Sequence, residues 1–261
     1  MQIPFFQIDA FSKMTFGGNP AAVCLLEKWC DDAELQSIAA ENNLSETAFL
    51  VQQSAGQYAL RWFTPTIEVD LCGHATLAGA FVLFSFVHTD LSSLVFETAG
   101  GEVTVEKNGD VLSMDFPARK PVSIEPPADL SRALGREPVA VLQSRDLLAV
   151  FESENEIKNM RPDFERLKQI QEGFAVIVCA PGDTVDFVSR FFAPKAGIPE
   201  DPVTGSAHCT LIPYWAERIK KKKLHAFQCS QRGGELFCEY KGDRVGIAGH
   251  CVLYARGELS L

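Results

Sequence analysis

The chain has 261 residues, of which 46% are apolar and 22% are charged, an ordinary composition for a globular protein whose core needs no disulfide or metal support. The net charge is −10, and residues 1–117 carry 15 Asp and Glu against 4 Lys and Arg. Such an acidic surface excludes nucleic acid and anionic membranes as partners, because binding to phosphate requires a basic surface.

The N-terminus and the cysteines predict a cytoplasmic protein. No positively charged segment precedes the first apolar run, so the start of the chain lacks the pattern of a signal peptide. The longest apolar stretch, Leu77–Val87, is too short to span a bilayer. None of the eight cysteines forms a C-x-x-C pair, and most lie in apolar runs. This distribution is typical of reduced, buried thiols rather than of a disulfide framework.

Strand patterns and turn signals dominate the first half of the chain. A cap at Asp31 or Asp32 predicts a short helix. Residues His74–Val87 are apolar on nearly all sides, which predicts a buried helix. The predicted strands are Phe5–Phe11, Ala21–Leu26, Glu46–Val51, Gln57–Phe63, Leu94–Thr98, Glu102–Lys107 and Val111–Phe116.

Four prolines between residues 117 and 127 predict a domain edge, because proline has no amide hydrogen to donate inside a sheet or helix. We therefore expect two halves, residues 1–117 and 118–261, with the C-terminal strand packing back on the first. The predicted elements of the second half are the helices Asp163–Gln171 and Ser206–Lys221 and the strands Val139–Gln143, Leu147–Phe151, Ala175–Ala180 and Val185–Phe192. Helices and strands are mixed without regular β–α–β spacing, which favours an α+β fold.

Two segments of the chain are similar to each other. Asp70–Leu77 and Asp201–Leu211 each carry an acid, then a glycine, then a polar residue that opens an apolar helix. This similarity predicts two copies of one architecture. Gly73 and Gly205 would expose free amides at two helix N-termini, where a small carboxylate can bind without a basic side chain. The alternative is that the acids are cap residues and the glycines serve tight packing.

Glu46 and His74 are the candidate residues for proton transfer. Glu46 interrupts an apolar strand, and a carboxylate among apolar neighbours is suited to general acid–base catalysis near neutral pH. Alternatively, it points to solvent from an alternating strand. His74 opens the apolar helix, whose N-terminus disfavours the imidazolium, so we expect a neutral ring. Its other interpretation is a cap residue that bonds only the backbone.

Other chemistries receive less support from the sequence. Cys72, His74, His208 and Cys209 do not follow a known zinc-ligand spacing, so we expect no metal, and the last two are interpreted as packing residues. Cys72 stays open as a nucleophile, because a helix N-terminus lowers the pKa of a thiol. No G-x-S-x-G, P-loop or G-x-G-x-x-G motif occurs, so hydrolase elbows and nucleotide sites lack support.

Taken together, the motifs resemble one family. FFQIDAF with GGNPAAV, then NLSETAFL, RWFTPTIEVDLCGHATLAGA and DPVTGSAH follow one another along the chain. They are similar to the phenazine biosynthesis PhzF-like family over essentially the whole length. The resemblance implies a diaminopimelate epimerase-like fold. In that fold two similar halves each wrap a curved β-sheet or barrel around a central helix, and the active site lies in the cleft between them.

The resemblance also implies a site and a reaction. Glu46 would be the central acid–base that moves a proton within a small carboxylated substrate, assisted by His74, Asp201 and Ser206. The implied substrate-binding residues are Asn19, Gly73, Ala75 and Gly205. Members of the family work without a cofactor or metal and are commonly homodimers. The best-known member isomerises trans-2,3-dihydro-3-hydroxyanthranilate.

Two other functions stay open at this point. A racemase or epimerase would use Cys72 as a base, although the second half offers Asp201 and no cysteine at its glycine-rich turn. A non-catalytic protein would keep the same scaffold to bind a small molecule or another protein. Our expectation is a cofactor-independent, cytoplasmic isomerase whose partner is a small anionic metabolite.

Overall fold

The computed structural model describes all 261 residues, and the chain falls into two units. The first unit consists of Met1–Asp115 together with Ala248–Leu261, and the second consists of Phe116–Ile247. Both units combine helices with a mixed sheet, so the predicted α+β class is confirmed. None of the helices has both the length and the hydropathy that a bilayer crossing requires.

Strands make up most of the first unit. They are β1 (Gln2–Ala10), β2 (Asn19–Leu26), β3 (Glu46–Ser54), β4 (Gln57–Phe63), β5 (Glu68–Val69), β6 (Ser93–Thr98), β7 (Gly101–Asn108), β8 (Val111–Pro117), whose last residues enter the second unit, and the C-terminal strand β18 (Cys251–Ser260). The helices are α1 (Asp32–Asn42) and α2 (Gly73–Val82), and α2 continues into a π-helical turn at Leu83–Val87.

The sheet of the first unit alternates between antiparallel and parallel pairs. β1 pairs antiparallel with both β18 and β2. β2 and β3 are parallel, β3 and β4 antiparallel, β4 and β6 parallel, and β6 and β7 antiparallel. The parallel pairs are joined by crossovers that contain α1 and α2, as parallel strands require.

The helix α2 is buried along almost its whole length, as its apolar sequence predicts. The predicted continuation to Val87 as one regular helix is wrong. Regular α-helix ends at Val82, and in the π-helical turn Phe86 and Val87 are exposed. The aromatic ring of Phe86 stacks on that of Phe6 from β1 at a centroid distance of 5.3 Å, so the end of this turn packs on β1, whereas Leu83 and Phe84 at its start are buried.

The second unit contains more helices. Its strands are β9 (Val122–Ser123), β10 (Ala140–Gln143), β11 (Leu147–Val150), β12 (Val176–Pro181), β13 (Phe187–Ala193), β14 (Ile198–Asp201), β15 (Lys223–Gln228), β16 (Gly234–Tyr240) and β17 (Arg244–Gly249), whose last residues belong to the first unit. Its helices are α3 (Leu130–Leu134), α4 (Glu154–Asn159), α5 (Phe164–Gln169) and α6 (Gly205–Ile219), with a 3₁₀ turn at Pro194–Ala196.

The second unit repeats the pairing order of the first. β10–β11 is antiparallel, β11–β12 parallel, β12–β13 antiparallel, β13–β15 parallel and β15–β16 antiparallel. This order matches β1–β2, β2–β3, β3–β4, β4–β6 and β6–β7 of the first unit. In both units a helix, α2 or α6, forms the second parallel crossover. The architecture therefore occurs twice, and α2 and α6 are equivalent elements.

The elements missing from the sequence predictions are short. They are β5, β9, β14, β15, α3 and α4, none longer than six residues, whereas β16 and β17 flank the hairpin turn that Gly242 and Asp243 predict. An element of two to six residues spans too little chain for a hydrophobic period to be read. The longer predicted elements are present, and apart from the end of α2 at Val82 their ends differ by no more than three residues from the prediction.

Candidate active site

The first group of candidate residues meets where α2 begins. β2 and β3 are parallel with Ala21 opposite Glu46, so Asn19 and Glu46 lie near the same end of neighbouring strands. α2 starts at Gly73, with Cys72 as its extended N-cap residue. The arrangement brings Asn19, Glu46, Cys72 and His74 together, although they come from three separate segments of the chain.

A tight turn sets the position of Asn19. Gly18 has φ +65°, and a Cβ atom there would lie 2.1 Å from the carbonyl oxygen of Ala10. Because only glycine fits such a close approach of two backbone segments, the GGNP sequence lets β2 begin directly beside the end of β1. The Asn19 side chain is fully buried at this point.

His74 is the centre of the cluster. Its Nε2 atom lies 3.0 Å from Oε2 of Glu46. On the other side of the ring, Nδ1 lies 3.2 Å from Nδ2 of Asn19, which donates to it when the ring is neutral, and 3.5 Å from Sγ of Cys72. If the ring gains a proton at Nδ1, rotation of the Asn19 amide presents its oxygen instead. Asn19 can thus support both charge states of the imidazole.

The contact between His74 and Glu46 is an ion-pair distance rather than an aligned hydrogen bond. Both Nε2 and Oε2 are buried atoms without a hydrogen-bond partner of good geometry. The His74 side chain is 5% exposed, whereas that of Glu46 is 14% exposed. Glu46 is therefore the member of the pair that a ligand can approach.

Burial and neighbouring groups act in opposite directions on His74. Burial lowers the pKa of the imidazole, but Cys72 and Glu46 together raise it well above its ordinary value. Burial raises the pKa of the Cys72 thiol to about 11, with a further contribution from Glu46. Since the thiol is neutral, the anion that stabilises a protonated His74 is the Glu46 carboxylate. The raised pKa runs against the expectation of a neutral ring, which considered the helix N-terminus alone.

The same cluster is the place to consider a metal ion. Glu46, Cys72 and His74 offer donor atoms that all lie within 4.8 Å of one another. However, Glu46 faces Nε2 of the ring and Cys72 faces Nδ1, and a single ion binds only one nitrogen of an imidazole. The three groups would have to move to converge on one ion. Their arrangement fits proton handling better than metal binding.

The second unit contains the other candidate residues. Asp201 is the last residue of β14, and Gly205 and Ser206 are the first two of α6. Oγ1 of Thr204, the N-cap residue of α6, donates a hydrogen bond to Oδ2 of Asp201 at 2.5 Å. Ser206 keeps part of its surface exposed. These residues form their own group at the N-terminus of α6.

The predicted residues therefore fall into two groups. The structure brings Asn19, Glu46 and His74 together beside Gly73 and the buried Ala75, and it places Asp201, Gly205 and Ser206 around the start of α6. As predicted, His208 and Cys209 are buried side chains inside α6. Two residues that bond this turn were not singled out from the sequence: Thr204, which lies inside the DPVTGSAH motif, and Gln228, a fully buried polar residue.

Comparisons with known proteins agree over the whole chain. A family model described as phenazine biosynthesis-like protein (PhzC-PhzF) matches residues 8–257. A protein of Pseudomonas aeruginosa described as an uncharacterized isomerase is 51% identical over 262 residues, which is 100% of both chains. The crystal structure of a PhzF family phenazine biosynthesis protein from Enterococcus faecalis is 49% identical, covers 100% of both chains and has a TM-score of 0.98.

More distant structures share only the fold. A hydroxyproline epimerase from Agrobacterium vitis is 10% identical, with 100% of this chain and 93% of that chain covered and a TM-score of 0.63. A likeness at this identity carries no information on the reaction. Together with the closer structures it confirms the predicted diaminopimelate epimerase-like architecture.

Proposed function

We propose a reaction for this chain, which belongs to the phenazine biosynthesis-like family and is an isomerase. It moves a proton within a small carboxylated metabolite by general acid–base catalysis and without a cofactor. The observation that carries this proposal is the Glu46–His74 pair. A buried imidazole with a raised pKa lies 3.0 Å from a carboxylate that a ligand can still approach.

Glu46 is the proposed acid–base. In the ionised form its carboxylate takes a proton from an activated carbon of the ligand and returns it to another atom of the same ligand. No net oxidation or reduction occurs, so the step balances without a second reactant. The protonated His74 ring, at ion-pair distance, stabilises the ionised Glu46 carboxylate between turnovers. A well-placed group of this kind contributes about 10²–10⁴-fold to the rate.

Asp201 and Ser206 are proposed to assist by hydrogen bonding and proton handling. The amides around Gly73, Ala75 and Gly205 would hold the ligand carboxylate, because amide groups in the first turn of a helix have no partner within the helix. This recognition is local by necessity. Residues 1–117 carry a large acidic excess, so long-range attraction cannot bring an anion to the first unit.

The proposal extends to the location of the protein and to its oligomeric state. All eight cysteines are free thiols, and seven have a pKa raised to about 11 or higher by burial, which supports a reducing, cytoplasmic location. We also propose a homodimer, which the resemblance to the family implies. Light scattering of the purified protein at several concentrations tests this point, and a monomer mass throughout would refute it.

The test of the reaction is hydrogen exchange with solvent. Wild-type protein is incubated in D₂O with a panel of small unsaturated carboxylates that includes trans-2,3-dihydro-3-hydroxyanthranilate, and products are analysed by mass spectrometry and NMR. We expect isomerisation with deuterium uptake for at least one compound, and a loss of about 10²–10⁴-fold in Glu46→Gln. The control is Glu41→Gln, an exposed residue of α1.

Two results would refute the proposal. Full turnover by Glu46→Gln would show that another group moves the proton. No turnover of any compound, together with tight binding of a carboxylate, would favour a binding protein on the same scaffold.

A further inference from the structure

Gln228 is a polar side chain with no role in the proposal above, yet it is 0% exposed. It is the last residue of β15. Its Oε1 atom accepts a hydrogen bond from the amide of Thr204 at 2.9 Å. Its Nε2 atom donates to the carbonyl oxygen of Asp201 at 2.8 Å and to Oγ1 of Thr204 at 3.2 Å. All three bonds go to the short turn between β14 and α6.

Counting hydrogens fixes the direction of the next bond. The amide nitrogen of Gln228 has two hydrogens, and both are used. Because that nitrogen can only donate, the hydroxyl oxygen of Thr204 must accept, and the hydroxyl hydrogen is left for Oδ2 of Asp201, 2.5 Å away. A chain of bonds therefore runs in one direction, from Gln228 through Thr204 to the Asp201 carboxylate.

The sheet gives this chain of bonds a rigid frame. β13 pairs with both neighbours, placing Ser189 opposite Gln228 and Phe191 opposite Asp201. The two ends of the chain of bonds are thus anchored to one strand. A second bond, from Oγ of Ser230 to the carbonyl oxygen of Pro202 at 2.7 Å, holds the same turn. The separation of Gln228 and Asp201 is set by backbone pairing rather than by flexible side chains.

We infer that Gln228 is a positioning residue, which fixes the Asp201 carboxylate through the Thr204 hydroxyl. Its functional meaning rests on the proposed role of Asp201 in proton handling. An acid–base group must be held to within a fraction of an ångström of its working position. A buried amide whose hydrogen bonds are all satisfied holds its partners in position, because breaking any one of these bonds leaves a buried polar group unpaired.

The direct test observes the Thr204 hydroxyl proton by NMR and needs no substrate. In wild type we expect a downfield hydroxyl signal that exchanges slowly with water, as a short bond to a carboxylate produces. Gln228→Met keeps the shape but removes the amide, and we expect hydroxyl exchange about 10-fold faster or more. We expect no such signal in Thr204→Val, which lacks the hydroxyl, and an equivalent signal in Thr204→Ser, which keeps it. Gln169→Met, at an exposed site of α5, is the matched control.

A second test measures kcat and KM with the carboxylate that the wild-type protein isomerises. We expect Gln228→Met and Thr204→Val to lower kcat about 10-fold or more with little change in KM, and Thr204→Ser to recover most of it. A loss without recovery in Thr204→Ser would indicate a merely structural effect and would overturn the inference.

The outcomes separate this inference from the proposed reaction. Slow hydroxyl exchange that persists in folded Gln228→Met overturns the positioning role, whatever the activity. If Gln228→Met does not fold, the inference is tested with Thr204→Val and Thr204→Ser alone. A loss of kcat in Thr204→Val that Thr204→Ser recovers supports it, and a loss that Thr204→Ser does not recover overturns it. Fast exchange in Gln228→Met, combined with a wild-type protein that isomerises nothing, supports the positioning of Asp201 and refutes the proposed reaction.

Discussion

The N-termini of α2 and α6 are equivalent positions of a repeated architecture, and they are built from different chemistry. Cys72 and Thr204 are both extended N-cap residues, with φ/ψ of −143°/107° and −115°/101°, and neither side chain caps its helix. Each N-cap carbonyl accepts a hydrogen bond from a side chain four residues later, Thr76 Oγ1 in α2 and His208 Nδ1 in α6. The two helix N-termini therefore share the conformation of the N-cap residue and the type of bond that its carbonyl accepts.

The side chains around the two ends differ in charge. At α2 a thiol and a carboxylate flank His74, and both raise the pKa of the buried ring. At α6 burial lowers the pKa of His208 to about 4, and this histidine serves only the backbone. Hydroxyl and amide groups surround Asp201 instead. One scaffold can therefore hold an ion pair at one helix end and, at the other, a carboxylate bonded by hydroxyl and amide groups.

The largest expected effect beyond Glu46 comes from the α6 end. Asp201→Asn keeps the size of the side chain and its bond to Thr204 but removes the charge, and we expect turnover to fall about 10²-fold. The measurement is deuterium transfer to a confirmed substrate. Asp243→Asn, in an exposed turn of the same unit, is the control. Unchanged turnover in Asp201→Asn would mean that the α2 end works alone.

The ion pair at the α2 end predicts a dependence of stability on pH. Because the pKa of His74 is raised in the folded protein, its contribution is fully present below the ordinary histidine value of about 6.5 and is lost as pH rises through the raised value. We expect the difference in Tm between wild type and His74→Gln to shrink from pH 6 toward alkaline pH.

Glu46→Gln provides the matched partner for that measurement. It removes the carboxylate that stabilises the imidazolium, so it should abolish the same pH-dependent part of the stability. If the Tm difference for His74→Gln were flat with pH in the wild-type background, the ring would be neutral and the ion pair refuted.

The smallest expected effect concerns Cys72. Its thiol is buried, and its pKa is raised to about 11, so it is neither a ready base nor a ready nucleophile. We expect Cys72→Ser to stay within about 3-fold of wild-type turnover and iodoacetamide at pH 8 to label it slowly. Deuterium entry at a stereocentre that Cys72→Ser abolishes, but Glu46→Gln does not, would replace the isomerase proposal with a thiol-based epimerase.

Much of the fold could be predicted because its longer helices and strands follow from apolar periodicity and turn residues, which are visible in the sequence. The alternating strands, the buried helix after Gly73 as far as Val82, and the repeat indicated by the similarity between residues 70–77 and 201–211 all appear as predicted. The charge of His74 could not be predicted, because its ion pair joins positions 46 and 74, which are distant in sequence. Gln228 gave no signal either, since a glutamine at the end of a strand is usually exposed and only the folded sheet places it beside Asp201.

The pairing of β1 with β18 has a consequence for how the chain is made. Gln2 lies opposite Ser260, and the amide of Leu261 bonds the carbonyl oxygen of Met1 at 2.9 Å. The second unit is continuous in the chain, whereas the first is completed by its last fourteen residues. During synthesis β1 must therefore wait for its outer partner until the second unit has left the ribosome. Such long-range closure slows folding and leaves an open strand edge for most of translation.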